Sequence, residues 1–171
     1  VAVGGVEFVL SGNLWFTNTV SETPLHVRSA SGTFQAYSFG SDINQNNHIT
    51  EVRATQQGYI WCVLPNGKGL LVLDHNGTLT NTSDDQYKIL DTQEGNGGLP
   101  IDEVVCIEED LDGEVWIGML QGLAVFYSPE SIFSSDDFDA QQILIEQDGN
   151  VQILLETETV NCIEIDGANR K

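Results

Sequence analysis

Carboxylates are the residues of this chain whose types and spacing come closest to a chemical site, because clustered carboxylate oxygens are what calcium binds. One cluster, Asp110-Leu111-Asp112-Gly113-Glu114, has part of the composition of a calcium loop. It fails the EF-hand pattern, which needs a third oxygen ligand before the glycine and a glutamate at position 12. The sequence favours a hairpin turn in which Asp side chains bond their own backbone.

A second acidic cluster, Asp136-Asp137-Phe138-Asp139, lies in a loop long enough to curl around an ion. Asp136, Asp137 and Asp139 are therefore weak candidates for calcium ligands. A solvated loop is the default interpretation of such a run, and no other cofactor is predicted.

Histidine and cysteine do not add a catalytic or zinc-binding pattern. The histidines are His26, His48 and His75, and the cysteines are Cys62, Cys106 and Cys162. None of them has the spacing of zinc ligands, and we expect the three thiols to be buried on strands as small hydrophobes. Since the chain also lacks a Gly-x-Ser-x-Gly sequence and a phosphate-binding glycine loop, no enzymatic activity is predicted.

A repeat organises the elements that carry these residues. Trp15, Trp61 and Trp116 each follow a glycine by three positions, with spacings of 46 and 55 residues. Each tryptophan lies in a β-type run, with one such run before it and two after it. Each unit therefore has four short strands, the size of a propeller blade. A residue that recurs in every blade serves packing, and the expected structural positions are Gly12, Trp15, Gly58, Trp61, Asp110, Gly113, Trp116, Gly118 and Gly122.

The predicted fold is all-β: a partial propeller over residues 1–171, with four-stranded antiparallel blades at about 1–40, 48–98 and 101–158. Residues 141–156 contain two apolar runs around Asp148-Gly149, which predict a hairpin that extends the outer strand of the third blade. Residues 159–166 restart the unit at an offset of 56 and are expected to form the first strand of a fourth blade. The missing initiator Met and signal peptide favour a mature protein or an excised piece.

The charge of −20 limits the range of partners. Residues 1–85 hold 7 acidic and 3 basic residues, and residues 86–171 hold 19 and 3. A field of this sign repels phosphate backbones and anionic membranes, so nucleic acid is excluded as a partner. Solubility is the default explanation of the acidity. The more specific explanations are that the chain binds a cationic partner or a divalent metal. No apolar run is long enough to predict a membrane span.

One stretch resembles a known family. Residues 106–126, CIEEDLDGEVWIGMLQGLAVF, resemble the two-component-regulator propeller repeat. The matching positions are Ile107, Asp110, Gly113, Trp116, Ile117, Gly118, Gly122 and Leu123, whereas Met119 stands where threonine is usual. Residues 143–171 are also similar to the PorZ-like type IX secretion proteins of Bacteroidetes.

These resemblances imply a non-catalytic propeller in the periplasm or on the outer-membrane surface of a bacterium. It would act as a protein- or glycan-interaction scaffold in secretion or surface attachment. The alternative is the extracellular sensor propeller of a hybrid two-component regulator, which binds an oligosaccharide. A three-blade piece leaves apolar sheet faces bare, so we expect it to pack against the remainder of its own propeller or against a second copy. A protein or a polysaccharide would be the further partner.

Overall fold

Short apolar runs between glycine turns form nearly all of the regular structure. A computed structural model describes residues 3–43, 48–135 and 137–171. The chain divides into two units, one made of Val1–Asn66 and Leu71–Lys88 and the other of Gly67–Leu70 and Ile89–Lys171. Besides strands and turns, the described ranges contain a single 3-10 turn, at Pro129–Ser131.

The first sheet lies in the first unit and has four antiparallel strands in chain order. Its strands are β1 Val6–Phe8, β2 Leu14–Thr17, β3 Leu25–Arg28 and β4 Phe34–Tyr37. Alternate residues point to opposite faces, so Trp15 and Val27, which pair across β2 and β3, are buried together on one face.

The second sheet belongs to the first unit apart from Leu70, Ile89 and Leu90. Its strands, again in chain order, are β5 Glu51–Ala54, β6 Ile60–Val63, β7 Leu70–Asp74 and β8 Gln86–Leu90. All four residues of β6 and the first four of β7 are buried, so the middle of this sheet is covered on both faces. That burial explains why these strands read as continuous apolar runs rather than alternating ones.

The third sheet and a separate hairpin lie in the second unit. The sheet contains β9 Val104–Glu109, β10 Val115–Met119, β11 Leu123–Phe126 and β12 Gln141–Gln142 in the order β12-β11-β10-β9. The hairpin is formed by β13 Leu144–Gln147 and β14 Asn150–Ile153, whose turn residues Asp148 and Gly149 both have positive φ. The prediction of an all-β chain with three four-stranded antiparallel sheets is confirmed.

Two details of the predicted third blade are wrong. The hairpin is present, but β13 and β14 form their own two-stranded sheet instead of extending the outer strand. Residues 159–166 form no strand. A strand needs a ladder partner, and this segment instead packs on the third sheet, where the N–H of Val160 donates to the carbonyl of Met119 (3.0 Å) and its side chain contacts the cluster containing Cys106 and Val125.

Candidate functional site

Three of the predicted repeat glycines occupy the same turn, between the first and second strands of a sheet. Gly12, Gly58 and Gly113 have φ of 85°, 89° and 85°. Each donates its N–H to the carbonyl three residues earlier, at 2.8, 2.8 and 3.1 Å respectively. Glycine recurs there because residues with a Cβ rarely adopt this left-handed conformation. These three glycines therefore shape the turn.

A fourth copy of the turn lies at residues 166–170. The N–H of Asp166 donates to the carbonyl of Arg170 (3.2 Å), and the N–H of Asn169 donates to that of Asp166 (2.9 Å). Asn169, with φ of 57°, stands where the other turns have glycine, and asparagine tolerates that conformation. The predicted offset of 56 residues from Asp110 is thus confirmed for the turn, although the strand before it is not formed.

Asp110 organises the third turn through its side chain. It is 1% exposed, and its Oδ1 accepts the N–H groups of Asp112 (2.9 Å) and Glu114 (3.0 Å). Its Oδ2 accepts from Trp116 Nε1 at 3.1 Å and pairs with Lys171 Nζ at 2.7 Å. All of these contacts favour the ionised carboxylate, so the cluster is the hairpin turn that the sequence favours.

The pKa of Asp110 reflects these contacts. Burial by itself would raise it, but the hydrogen bonds from Lys171, Trp116 and the two backbone N–H groups outweigh burial and lower the pKa to about 2. The pKa of neighbouring Glu114 is raised by burial and by the charge of Asp110. The Lys171 ammonium lies 4.8 Å from the Trp116 ring centroid, so one cation serves both the carboxylate and the indole.

The three tryptophans occupy equivalent places, each the second residue of the second strand of its sheet. Trp15 and Trp61 are buried, whereas Trp116 is half-buried. Trp15 stacks on Tyr37 and on His75, with ring centroids 5.6 Å away in both cases. The packing role predicted for all three tryptophans stays a prediction.

Gly118 and Gly122 serve the segment that was expected to be a strand. A Cβ on Gly118 would lie 2.5 Å from Cys106 Sγ and 2.8 Å from Val160 Cγ1, so only glycine lets the segment approach β10. Gly122 has φ of 82° and donates its N–H to the carbonyl of Glu158 (2.8 Å). Both glycines are therefore used in packing the residues that follow the hairpin.

Two of the three weak calcium candidates, Asp137 and Asp139, lie within the described residues. Asp136 lies outside the described residues. Asp139 is already engaged, because its two carboxylate oxygens accept the N–H groups of Gly95 (2.8 Å) and Gly97 (3.0 Å). Asp137 donates its own N–H to Ser135 Oγ (3.1 Å). In the described ranges, no group of three His, Cys, Asp or Glu side chains has the geometry of a metal site.

The cysteine prediction is correct for two of the three thiols. Cys62 and Cys106 are both buried, and burial raises the pKa of the Cys62 thiol. Cys162, in contrast, is exposed. The repeat alignment with Cys106 placed it on a buried strand, but the segment around it forms no sheet that could cover the side chain.

Sequence reasoning missed a cavity of about 260 Å³ in the first unit. Its walls include Tyr37, Asp85 and Tyr87, together with apolar atoms of Phe39 and Leu73. The phenolic oxygen of Tyr37 and Oδ1 of Asp85 are buried, and neither atom has a hydrogen-bond partner. The adjacent acidic residues 84–85 are visible in the sequence, but nothing in the sequence indicates that they lie near Tyr37.

The described part of the chain contains no helix with the length and hydropathy of a membrane span. No protein-family model matches the chain, and no curated protein does either.

Comparison with solved structures defines the class of fold. One similar structure is virginiamycin B lyase from Staphylococcus aureus, with a TM-score of 0.56 and 11% sequence identity. The alignment covers 86% of this chain and 42% of the lyase chain. The extracellular domain of a putative hybrid two-component system from B. thetaiotaomicron aligns with 92% of this chain and 21% of its own, at a TM-score of 0.50 and 15% identity. With three four-stranded sheets, the chain has a β-propeller fold.

Among the similar structures is PorZ, described as an essential bacterial surface component of the type IX secretion system of Porphyromonas gingivalis. It covers 99% of this chain at a TM-score of 0.81, with 22% sequence identity. The chain spans about a quarter of the length of PorZ, since the match covers 24% of that protein. At this identity the likeness establishes the fold.

Proposed function

We propose that this chain is part of a non-catalytic β-propeller that acts as an interaction scaffold at the bacterial cell surface, in secretion or surface attachment. The observation that carries the proposal is the superposition of 99% of the chain on PorZ at a TM-score of 0.81. That score is well above the value for the lyase, although both proteins have the same class of fold. The periplasm or the outer-membrane surface is the corresponding location.

The use of the repeat residues supports a scaffold. Asp110, the most buried carboxylate of the repeat, makes its hydrogen bonds to a turn, an indole and a lysine. The glycines set turn conformations, and the tryptophans pack the sheets. Asp110 and the glycines and tryptophans of the repeat are thus occupied in the fold, and the loops that differ between blades are available to bind partners.

The first sheet carries an apolar surface of the kind that another sheet would cover. The cross-strand register places Phe8, Leu14, Arg28 and Phe34 in one row, opposite the buried Trp15 face. Phe8 is 70% exposed and Phe34 is 64% exposed. We propose that this outer aromatic face packs against another propeller sheet, from the remainder of a longer chain or from a second copy.

Solution mass tests this proposed contact. Light scattering of the 171-residue chain should give a mass that rises with concentration, and Phe8→Ser with Phe34→Ser should suppress the rise. A stable monomer of 18.7 kDa at every concentration would exclude the second copy. Restoration of a monomer when a longer chain is expressed would favour the remainder of the propeller.

A chimera tests the secretion role. The quarter of PorZ that matches this chain would be replaced by residues 1–171, and type IX secretion would be measured in Porphyromonas gingivalis. We expect partial secretion from the chimera and none from PorZ that lacks the segment. A chimera that is folded and present at the surface but does not secrete would refute the secretion role.

The extracellular ligand-sensing propeller of a hybrid two-component regulator is the second candidate. It is favoured by the match to such an extracellular domain over 92% of this chain. Calorimetric titration with a panel of oligosaccharides would test it. Saturable binding to one glycan would favour the sensor, whereas absence of binding across the panel would count against it.

A further inference from the structure

The hairpin of the second unit has one face packed against the third sheet. At its base, the N–H of Leu154 donates to the carbonyl of Ile143 at 2.8 Å. Both side chains pack against the buried cluster that contains Cys106 and Val125. Since successive side chains of a strand point to opposite faces, the residues that alternate with this pair point away from the cluster.

The outward face of the hairpin is apolar and exposed. Leu144 is paired with Ile153, and Glu146 is paired with Val151, so these four side chains share one face. Leu144 is 66% exposed and Val151 is 70% exposed. Leu155, in the turn that follows β14, is 42% exposed. Exposed apolar side chains grouped in this way are typical of an interaction surface.

A groove of about 480 Å³ lies beside β14, and we call it the hairpin groove. Apart from Leu144, the residues that line it all belong to the segment 151–158. Leu155 is part of this wall and has φ of 56°, a left-handed conformation that is rare for a bulky residue. The N–H of Glu158 donates to the carbonyl of Leu155 (2.9 Å) and closes the turn. Backbone strain of this kind is concentrated at binding sites.

The outer edge of β14 is open to a further strand. In the described ranges, β13 and β14 form a sheet of two strands only. The bond from Leu154 to Ile143 makes these residues a hydrogen-bonded pair, and such pairs alternate with pairs whose backbone groups point outward. By this alternation, Val151 and Ile153 direct their N–H and C=O groups to the open side of β14. An extended peptide could therefore add to this edge as a third strand.

The charge of the hairpin selects the kind of peptide. Residues 141–158 contain four carboxylates and no Lys or Arg. Glu156 and Glu158 line the hairpin groove, and Glu146 lies on the apolar face. A second copy of the chain would bring the same carboxylates to the contact, so charge repulsion opposes self-association here. A segment with both apolar and basic side chains complements the surface.

We propose that the edge of β14 binds an extended segment of a partner protein, which adds as an antiparallel third strand. Its apolar side chains would lie in the hairpin groove beside Val151 and Ile153, and Lys or Arg residues on the same face would lie near the carboxylates. The backbone hydrogen bonds would supply affinity, and the groove and its charge would supply specificity. The inference rests on the proposed scaffold function only in assigning the segment to a partner protein.

The test uses the 171-residue chain and three peptides of equal length. The probe is acetyl-Lys-Thr-Val-Thr-Val-Thr-Lys-amide, whose Lys and Val side chains share one face when the peptide is extended. In the second peptide Glu replaces both Lys residues. In the third peptide both Val residues are N-methylated, which removes the N–H groups that would face β14.

Two-dimensional NMR would follow the binding. With the probe we expect saturable shifts of residues 144–158, and exchange of the amide protons of Val151 and Ile153 should slow by about tenfold at saturation. Affinity should be about tenfold weaker for the Glu peptide and for the N-methylated peptide.

Matched variants locate the binding. Val151→Ser should weaken the probe about fivefold, because an apolar contact is lost. Its control is Val20→Ser, at a position that is 63% exposed in the first unit, and this variant should bind unchanged. Glu146→Gln should weaken the probe about threefold, whereas Glu22→Gln, at an exposed position of the first unit, should not. Equal losses in the site and control variants would overturn the proposal.

Other occupants of the groove correspond to distinct results, and each would overturn the proposal. Equal affinity for the N-methylated peptide would show that no strand is added. A dimer that Val151→Ser abolishes would make a second copy the occupant. Loss of probe binding in a longer natural chain that contains residues 1–171 would assign the groove to the remainder of the propeller. The amide spectrum of each variant shows whether it remains folded.

Failure of this inference is distinct from failure of the secretion role. Probe binding at β14 together with an inactive PorZ chimera would retain the site and reject the secretion role. A chimera that secretes, from a chain that does not bind the probe, would retain the secretion role and reject the site.

Discussion

Replacement of Asp110 by asparagine tests the account of the repeat turn most directly. Asparagine has the same shape, and its carbonyl oxygen can still accept the N–H groups of Asp112 and Glu114. Its NH₂ group cannot accept from Trp116 Nε1 or Lys171 Nζ, which now lie 3.1 and 2.7 Å from Oδ2. The variant therefore removes the charge and two acceptor contacts while it retains the turn.

The expected loss follows from the pKa of Asp110. A fall from the ordinary value of 3.8 to about 2 corresponds to roughly 2 to 3 kcal/mol of stabilisation at neutral pH. The raised pKa of Glu114 opposes this, since loss of the Asp110 charge relieves Glu114. We therefore expect Asp110→Asn to lower the free energy of unfolding by about 2 kcal/mol at pH 7.

The pH dependence gives the prediction a sign. Because the folded-state pKa of Asp110 is depressed, its stabilisation is complete above about pH 5 and is lost as pH falls toward 2. About half should remain at pH 3. The difference in stability between wild type and Asp110→Asn should therefore shrink as pH falls from 5 to 2.

Urea unfolding followed by tryptophan fluorescence would measure this difference at pH 7, 5 and 3. Asp148→Asn is the control and should change stability by less than about 0.5 kcal/mol, because its side chain is exposed. An Asp110→Asn effect below about 0.5 kcal/mol, or one that is constant from pH 7 to pH 3, would refute the reasoning.

Three other predictions follow from single contacts. Thr17→Val should cost about 2–4 kcal/mol in urea unfolding, because buried Thr17 Oγ1 accepts the N–H groups of both Gly4 (3.0 Å) and Gly5 (2.7 Å); an unchanged midpoint would contradict it. Gly118→Ala should cost about 1–3 kcal/mol, since its Cβ would overlap Cys106 Sγ, and wild-type stability would show that the overlap is relieved. Calcium should raise the melting temperature by less than about 1 °C, because both Asp139 oxygens already accept backbone N–H groups; a rise of several degrees, abolished by EDTA, would reveal a calcium site.

The features predicted correctly from the sequence are those that depend on a few neighbouring residues. The glycines three positions before each tryptophan were predicted as structural positions, and Gly12, Gly58 and Gly113 share one turn conformation with positive φ. Asp148-Gly149 predicted a hairpin, and both residues have the required positive φ. Such turns are set by local sterics, so the sequence is sufficient to place them.

The wrong predictions concern residues whose state depends on distant neighbours. Residues 159–166 have the composition of a strand, but a strand exists only where a ladder partner is present. Cys162 was placed in a core by analogy with Cys106, and the absence of a covering sheet leaves it exposed. For Asp139, a weak calcium candidate in the sequence, no local pattern indicated its partners Gly95 and Gly97, which lie more than 40 residues earlier.

The amino-acid sequence by itself determined the repeat, the strand order within each sheet and the acidic charge, because all of these follow from spacing and composition. Only the tertiary structure decided which polar groups are left without partners. Tyr37 and Asp85 are 48 residues apart in the chain, and they line one cavity because two sheets bring β4 and the residues before β8 together. Burial and the loss of water then leave two oxygens unpaired, a property that no local pattern contains.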